Sequence, residues 1–251
     1  MTTSSELAAT SAPSGPTFGN PGSRLLLRAG MMLGILAGLT VAICVSGERI
    51  GTTLALGGNT TSTDDNNIVI GTDHLRLPSN HIRFAEQRQT GAAERVDLYA
   101  TWPELQGYSD ETRNRFNDVT RTDGLIFLQI SQSTMSRDMS GRIAPIYSHL
   151  FEGNPSEGPA GLTAHRMKAG SGYAAEVFFT GPPGSAGASG EYGIRCILPE
   201  RPELATSADC QRDVHAGQDL VVLYRFSSQL LPQWRAIDNA VLRFVEAKLV
   251  R

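Results

Sequence analysis

Nineteen consecutive uncharged residues, Ala29 to Gly47, constrain this chain more than any other feature. Wound as an α-helix they span about 28 Å, close to the roughly 30 Å of bilayer hydrocarbon. Arg24 and Arg28 precede the run, whereas Glu48 and Arg49 follow it and cancel. Cationic excess marks the cytoplasmic end of a membrane helix, so the spacing predicts a cytoplasmic N-terminus and an exported remainder. Three other readings fit less well. A cleaved signal peptide has a short leader and a small-residue cut site, but here 28 residues come first and "AICVSG" is a poor A-x-A match. A buried core helix sits poorly beside the Ser/Thr/Ala/Pro/Gly-rich tail, and a lipoprotein anchor would have a smaller residue than Ile43 before Cys44.

The reading therefore divides the chain into a disordered cytoplasmic tail (1–23), a transmembrane signal anchor (24–47), a flexible tether (48–67) and an exported globular domain (68–251). Within the anchor Gly30, Gly34 and Gly38 repeat every four residues and share one helix face. Such a face lets two helices approach closely and points to a homodimer through the membrane; the plain alternative is ordinary membrane-helix composition.

Residues 48–251 carry 20 basic and 24 acidic side chains, a charge of -4. Phosphate binding needs a concentrated cationic surface, so nucleic acid is not an expected partner.

From Ile68 onward strand signals dominate. "ERVDLYATWP" alternates Val96, Leu98, Ala100 and Trp102 with polar residues, and "LIFLQI" is apolar on both faces, as a central strand would be. "LTAHRMKA", "YAAEVFFTG", "YGIRCIL" and "LVVLYRF" are further expected strands, while "SDETRNRF" and "APIYSHLF" read as short helices. Near the end, Trp234, Ile237, Val241, Phe244 and Val245 form one apolar stripe, with Arg235, Asp238, Asn239, Arg243 and Glu246 mostly opposite. Ser228 is the expected cap of this amphipathic helix and Pro232 fits its opening turn. The expected fold is α+β, antiparallel-rich, with the helix packed across the sheet.

Cys44 falls within the anchor, which leaves Cys196 and Cys210 on the exported, oxidising side. A disulfide between them closes a 15-residue loop, worth about 3 kcal/mol in the chain-entropy account. A zinc site would need two more ligands, and although His215 is near, no CxxC or HxxxH spacing supports one; free thiols are the third option.

The search for chemistry is negative: no HExxH, P-loop, GxGxxG, GxSxG or SxxK pattern occurs, and no metal or cofactor is implied. Ser171 in "GSGYAAE" reads as a turn residue, and Asp64 and Asp65 lack the spacing of a calcium loop. The most distinctive segment is "LRLPSNHIRF", where Arg76, Asn80, His81 and Arg83 surround apolar residues. They could bind an anionic or carbohydrate ligand or touch a partner; an irregular edge strand is the structural alternative.

"LRLPSNHIRF", "VDLYATWPELQGYS", "GPAGL", "GSGY", "RCIL", "ADCQRD" and "LLPQWRAIDNAV" together resemble a group of uncharacterised bacterial proteins with one N-terminal membrane helix and an exported domain, over roughly residues 65 to 245. The resemblance implies a Gram-negative inner-membrane setting and an exported cysteine pair, and transfers no activity. The expectation is thus a single-pass inner-membrane protein whose periplasmic domain works non-enzymatically with an unidentified envelope protein. The alternative is a periplasmic ligand-binding or catalytic domain with its site near residues 75–84.

Overall fold

A computed structural model of the chain describes residues 28, 30–41, 58–185 and 191–250. The chain forms two compact units, Met1–Ala55 and Leu56–Arg251. In the first, residues 30–41 are helical (α1) and expose Met31, Met32, Leu33, Ile35, Leu36, Leu39 and Val41. The rest of the expected span lies outside the described residues. Twelve residues rise only about 18 Å, and among the described residues no helix is long and apolar enough to cross a membrane.

The second unit is a mixed α+β fold dominated by antiparallel sheet. Its first strands, β1 (Asp65–Ile70) and β2 (Asp73–Pro78), form a hairpin whose alternating Ile68, Ile70, Leu75 and Leu77 are buried. β1 reaches back into the segment expected to be tether, because Asn66 is buried and its Nδ2 donates to Ser79 Oγ at 2.8 Å. A two-residue strand, β3 (Gly91–Ala92), pairs parallel with β1 to complete a small sheet.

The larger sheet has eight strands: β4 (Arg95–Thr101), β5 (Leu125–Gln132), β6 (Phe151–Glu157), β7 (Thr163–Met167), β8 (Val177–Thr180), β9 (Gly193–Cys196), β10 (Cys210–Ala216) and β11 (Leu220–Phe226). Their spatial order is β4-β5-β11-β10-β9-β8-β7-β6, every pairing antiparallel. Among the described residues two α-helices accompany it, the short α2 (Arg113–Asn117) and the C-terminal α3 (Trp234–Glu246).

Period-two alternation sorts the sheet into two faces. One face carries Val96, Leu98, Ile126, Leu128, Ile130, Val222, Tyr224, Phe226, Val214 and Ile194, all buried. Onto this face α3 packs Trp234, Ile237, Val241 and Val245, with Trp234 against Tyr192 at 4.2 Å between ring centroids. The helix thus covers the sheet as its stripe predicts, with one correction: Asp238, expected among the solvent-facing residues, is buried. The cap also moves. Ser227 rather than Ser228 accepts from Gln229 N, a 3-10 stretch Ser228–Gln233 absorbs Pro232, and α3 proper starts at Trp234.

Cys196 and Cys210 are bonded, as the compartment argument anticipates. They stand directly opposite each other in the β9–β10 register on the core face. "APIYSHLF" corrects to a single 3-10 turn, Tyr147–Leu150, since Phe151 leaves it to begin β6.

The β10–β11 turn is held to the small sheet. Asp73 accepts from the backbone N–H groups of Gln218 (3.0 Å) and Asp219 (2.8 Å). Gly217 sits there at φ 61°, where a Cβ would run into the Asp73 carboxylate.

Candidate functional site

The four residues of "LRLPSNHIRF" do not converge. Arg76 is exposed on β2, whose backbone pairs with the chain end through Arg76 N to Lys248 O at 2.8 Å. Asn80 and His81 are buried and engaged internally. Asn80 Nδ2 donates to Tyr108 O at 3.0 Å; His81 Nε2 contacts Leu105 O at 3.1 Å, its Nδ1 lies 3.2 Å from Asn80 Oδ1, and its ring lies 5.3 Å from that of Phe244. Burial pushes the His81 imidazole below the ordinary histidine value. Arg83 is exposed and lies over the rings of Phe84 and Phe127, at 5.0 and 5.1 Å. His81 and Arg83 line different cavities, and Arg76 lines neither.

Arg83 does, however, border a larger feature that the sequence reading missed. The sheet face opposite α3 presents a row of seven side chains from seven strands in strict register: Tyr99, Phe127, Arg225, Gln211, Arg195, Phe178 and His165. A second row runs Asp97, Gln129, Leu223 and Asp213. The two ends of this face are covered. At one end Phe116 of α2 packs edge-on against Tyr99 at 4.7 Å; at the other Met139, Ile143, Tyr147, Met167 and Phe178 form a separate apolar cluster. Between them lies a groove of about 410 Å³. Leu223 and Gln211 are half-buried in its floor, and Arg142, Tyr147, Tyr173, Arg195 and Arg225 help to line it.

The groove is cationic. The acids of this face are already engaged: Asp97 pairs with Arg95, Asp213 with Arg142, and Glu176 with Arg195 at 3.1 Å. Among the described residues Arg83, Arg137 and Arg225 have no acidic partner, so the face carries an excess of three positive charges. Arginine guanidinium groups also lie over aromatic rings, Arg195 over Tyr173 at 4.6 Å and Arg142 over Tyr147 at 5.9 Å. Such stacking fixes the planes of side chains that would otherwise be mobile, and presents their N–H forks to a ligand. The arrangement suits carboxylates. Among the described residues it holds no group of three or more His, Cys, Asp or Glu placed for a metal ion.

No protein family description matches this chain, and none of the curated proteins does. Among solved structures, it is similar to an immunity protein of the Stenotrophomonas maltophilia type IV secretion system. The TM-score is 0.52 at 15% identity, over 77% of this chain and 96% of that one. It is also matched to the iron-regulated outer membrane lipoprotein FrpD of Neisseria meningitidis, with a TM-score of 0.37 at 11% identity, over 75% of this chain and 97% of that one. The first likeness is one of fold; the second superposes too poorly to bear on the question.

Proposed function

We propose that this protein is a non-enzymatic interaction module of the bacterial envelope. An inner-membrane anchor holds the α+β domain in the periplasm, and the arginine-lined groove receives an acidic segment of a partner protein. The observation that carries the reading is the groove itself: Arg137 and Arg225, which have no acidic partner among the described residues, line it, and Arg83 stands on the same side of a domain whose net charge is negative. A concentrated patch opposite in sign to its own protein selects partners by charge and repels the wrong ones.

Two further observations support it. The Cys196–Cys210 bond belongs to an oxidising compartment, in line with an exported domain. The fold shared with a secretion-system immunity protein supports a secreted protein as the partner, held inactive by this domain.

A photo-crosslinking side chain at Leu223, in the groove floor, tests the reading on the full chain in native membranes. One discrete adduct with a secreted protein is expected, lost when Arg225→Glu reverses the charge beside it. An adduct pattern unchanged by Arg225→Glu rules out the groove, and a C-terminal reporter active only in the cytosol rules out the periplasmic placement.

A further inference from the structure

On the α3 side of the sheet lies a second cavity, of about 630 Å³, within the size range of small-molecule sites. Its wall holds Arg212 of β10, whose side chain is 2% exposed, and Asp238 of α3. Their mutual bonds leave each with one free end. Arg212 Nε donates to Asp238 Oδ1 at 2.9 Å, and its Nη1 donates to Ser140 Oγ at 2.6 Å and Gly193 O at 2.8 Å. Tyr224 donates its hydroxyl to the same Asp238 Oδ1 at 2.7 Å. Among the described residues Arg212 Nη2 and Asp238 Oδ2 take no part in a hydrogen bond, and neither atom is sealed from solvent. Two guanidinium donors and one carboxylate oxygen are therefore open to a ligand in the cavity, held in place by bonds to the core on their other side. The rim repeats the pattern: Arg137 stands on it with Asp138 and Glu191. Charges of both signs therefore face one solvent-open cavity.

We propose that this cavity binds a small zwitterion of the amino-acid or dipeptide class. Arg212 Nη2 and Arg137 hold its carboxylate, while Asp238 Oδ2, Asp138 and Glu191 hold its ammonium group. A simple anion would meet three carboxylates here and a simple cation two arginines, so a ligand carrying both charges fits best. Arg137 stands at the border of this cavity and the groove, whereas Arg212, Asp238, Asp138 and Glu191 line this cavity and not the groove.

The test is calorimetric titration of the full chain in detergent with glycylglycine, against acetate, methylammonium and N-acetylglycinamide as probes lacking one or both charges. Saturable binding of glycylglycine is expected, with the three controls at least about tenfold weaker. Ala144 is exposed at the cavity wall and makes no contact in the buried pair, so Ala144→Trp should abolish binding by filling the space while the melting temperature holds. Glu191→Gln, at the exposed rim, should weaken binding and leave folding untouched even where the tryptophan does not fold. Absence of saturable heat with glycylglycine overturns the proposal, and so does acetate binding as tightly as the dipeptide. Equal affinity in wild type and Ala144→Trp places the ligand elsewhere and overturns it too.

Discussion

Arg212 on β10 and Asp238 on α3 meet inside the core with 2.9 Å between Nε and Oδ1, so a charged pair fastens the C-terminal helix to the middle of the sheet. Burial opposes the charge on Arg212, but the oxygens of Tyr224, Asp238 and Tyr192 around it prevail and raise its pKa. Removing one partner strands the other charge in the interior. Asp238→Ala should therefore cost about 3–5 kcal/mol of stability, whereas the paired Arg212→Met, Asp238→Leu replacement should cost far less. Chemical denaturation followed by Trp234 fluorescence reads both, because that ring packs on Tyr192 beside the pair. Equal losses in the single and double variants would count against a coupled pair.

The disulfide lends itself to a second experiment. Cys196 and Cys210 are 14 residues apart in sequence and directly opposed across two strands. Closing a loop of that length corresponds to about 3 kcal/mol in the chain-entropy account. Cys196→Ser, Cys210→Ser and the double variant should lower the melting temperature equally, since each removes the same bond. The reductant-treated wild type should melt with them. The native loop is also knit at its base: Ile197 N donates to Asp209 O at 2.8 Å, and Asp209 accepts from Thr206 and Ser228. The reduced protein is expected to remain folded at room temperature, with its near-ultraviolet dichroism retained.

These two features differ in how far the sequence exposes them. The cysteine pair is legible because compartment and count leave few pairings, and the α3 stripe is legible because apolar residues recur at helical spacing. Asp238 is misread because a buried charge obeys no period: its partner Arg212 lies 26 residues away, on a strand that the reading passed over. β10 gives no clear strand signal although Arg212 and Val214 alternate with Gln211 and Asp213, since an arginine on the apolar phase breaks the pattern that marks a half-buried strand. The groove was invisible for a related reason. Its arginines come from positions 137, 142, 195 and 225, and they meet only because the strand register places Arg195 and Arg225 on one face and the segment after β5 brings Arg137 and Arg142 over it. Conversely "LRLPSNHIRF" stands out locally because it is irregular, and Asn80 and His81 use their polar atoms to hold that irregular backbone together.

The groove makes a prediction that needs no knowledge of the natural partner. A hexaglutamate peptide offers the carboxylates that Arg83, Arg137 and Arg225 lack. Hydrogen bonds to charged groups contribute about 1.5–3 kcal/mol, so Arg225→Glu should weaken the peptide's binding by roughly 10- to 150-fold. Raising ionic strength from about 0.01 M to about 1 M shortens the screening length from about 30 Å to about 3 Å and should weaken binding progressively. Fluorescence anisotropy of labelled peptide on the detergent-solubilised chain measures both effects. Affinity insensitive to salt would show that carboxylate recognition is not what the groove does.

Acid should loosen the fold through histidine before it reaches the carboxylates. Burial lowers the pKa of His81 from 6.5, with Lys248 adding to the effect and the Leu105 carbonyl opposing it. Burial likewise lowers that of His165, which stacks on Phe151 at 4.1 Å. Each imidazole is thus protonated more readily in the unfolded chain than in the folded one. The stability it contributes is complete above 6.5 and is lost as pH falls from there toward the lowered folded value. The carboxylates act later. Glu104 is held below 4.5 by Arg115, Glu111 by Ser109, and Asp118 below 3.8 by Thr120, so their contributions fade only as pH drops under those values. Thermal melts should therefore show a first decline that begins as pH falls below 6.5, ahead of the acid unfolding driven by the carboxylates. Replacing His81 with Gln should flatten that first decline while keeping a side-chain donor near Leu105 O. Proton NMR of the two imidazole rings gives the direct reading: midpoints below 6.5 in the folded protein are expected, and a His81 midpoint at or above 6.5 would contradict the assignment.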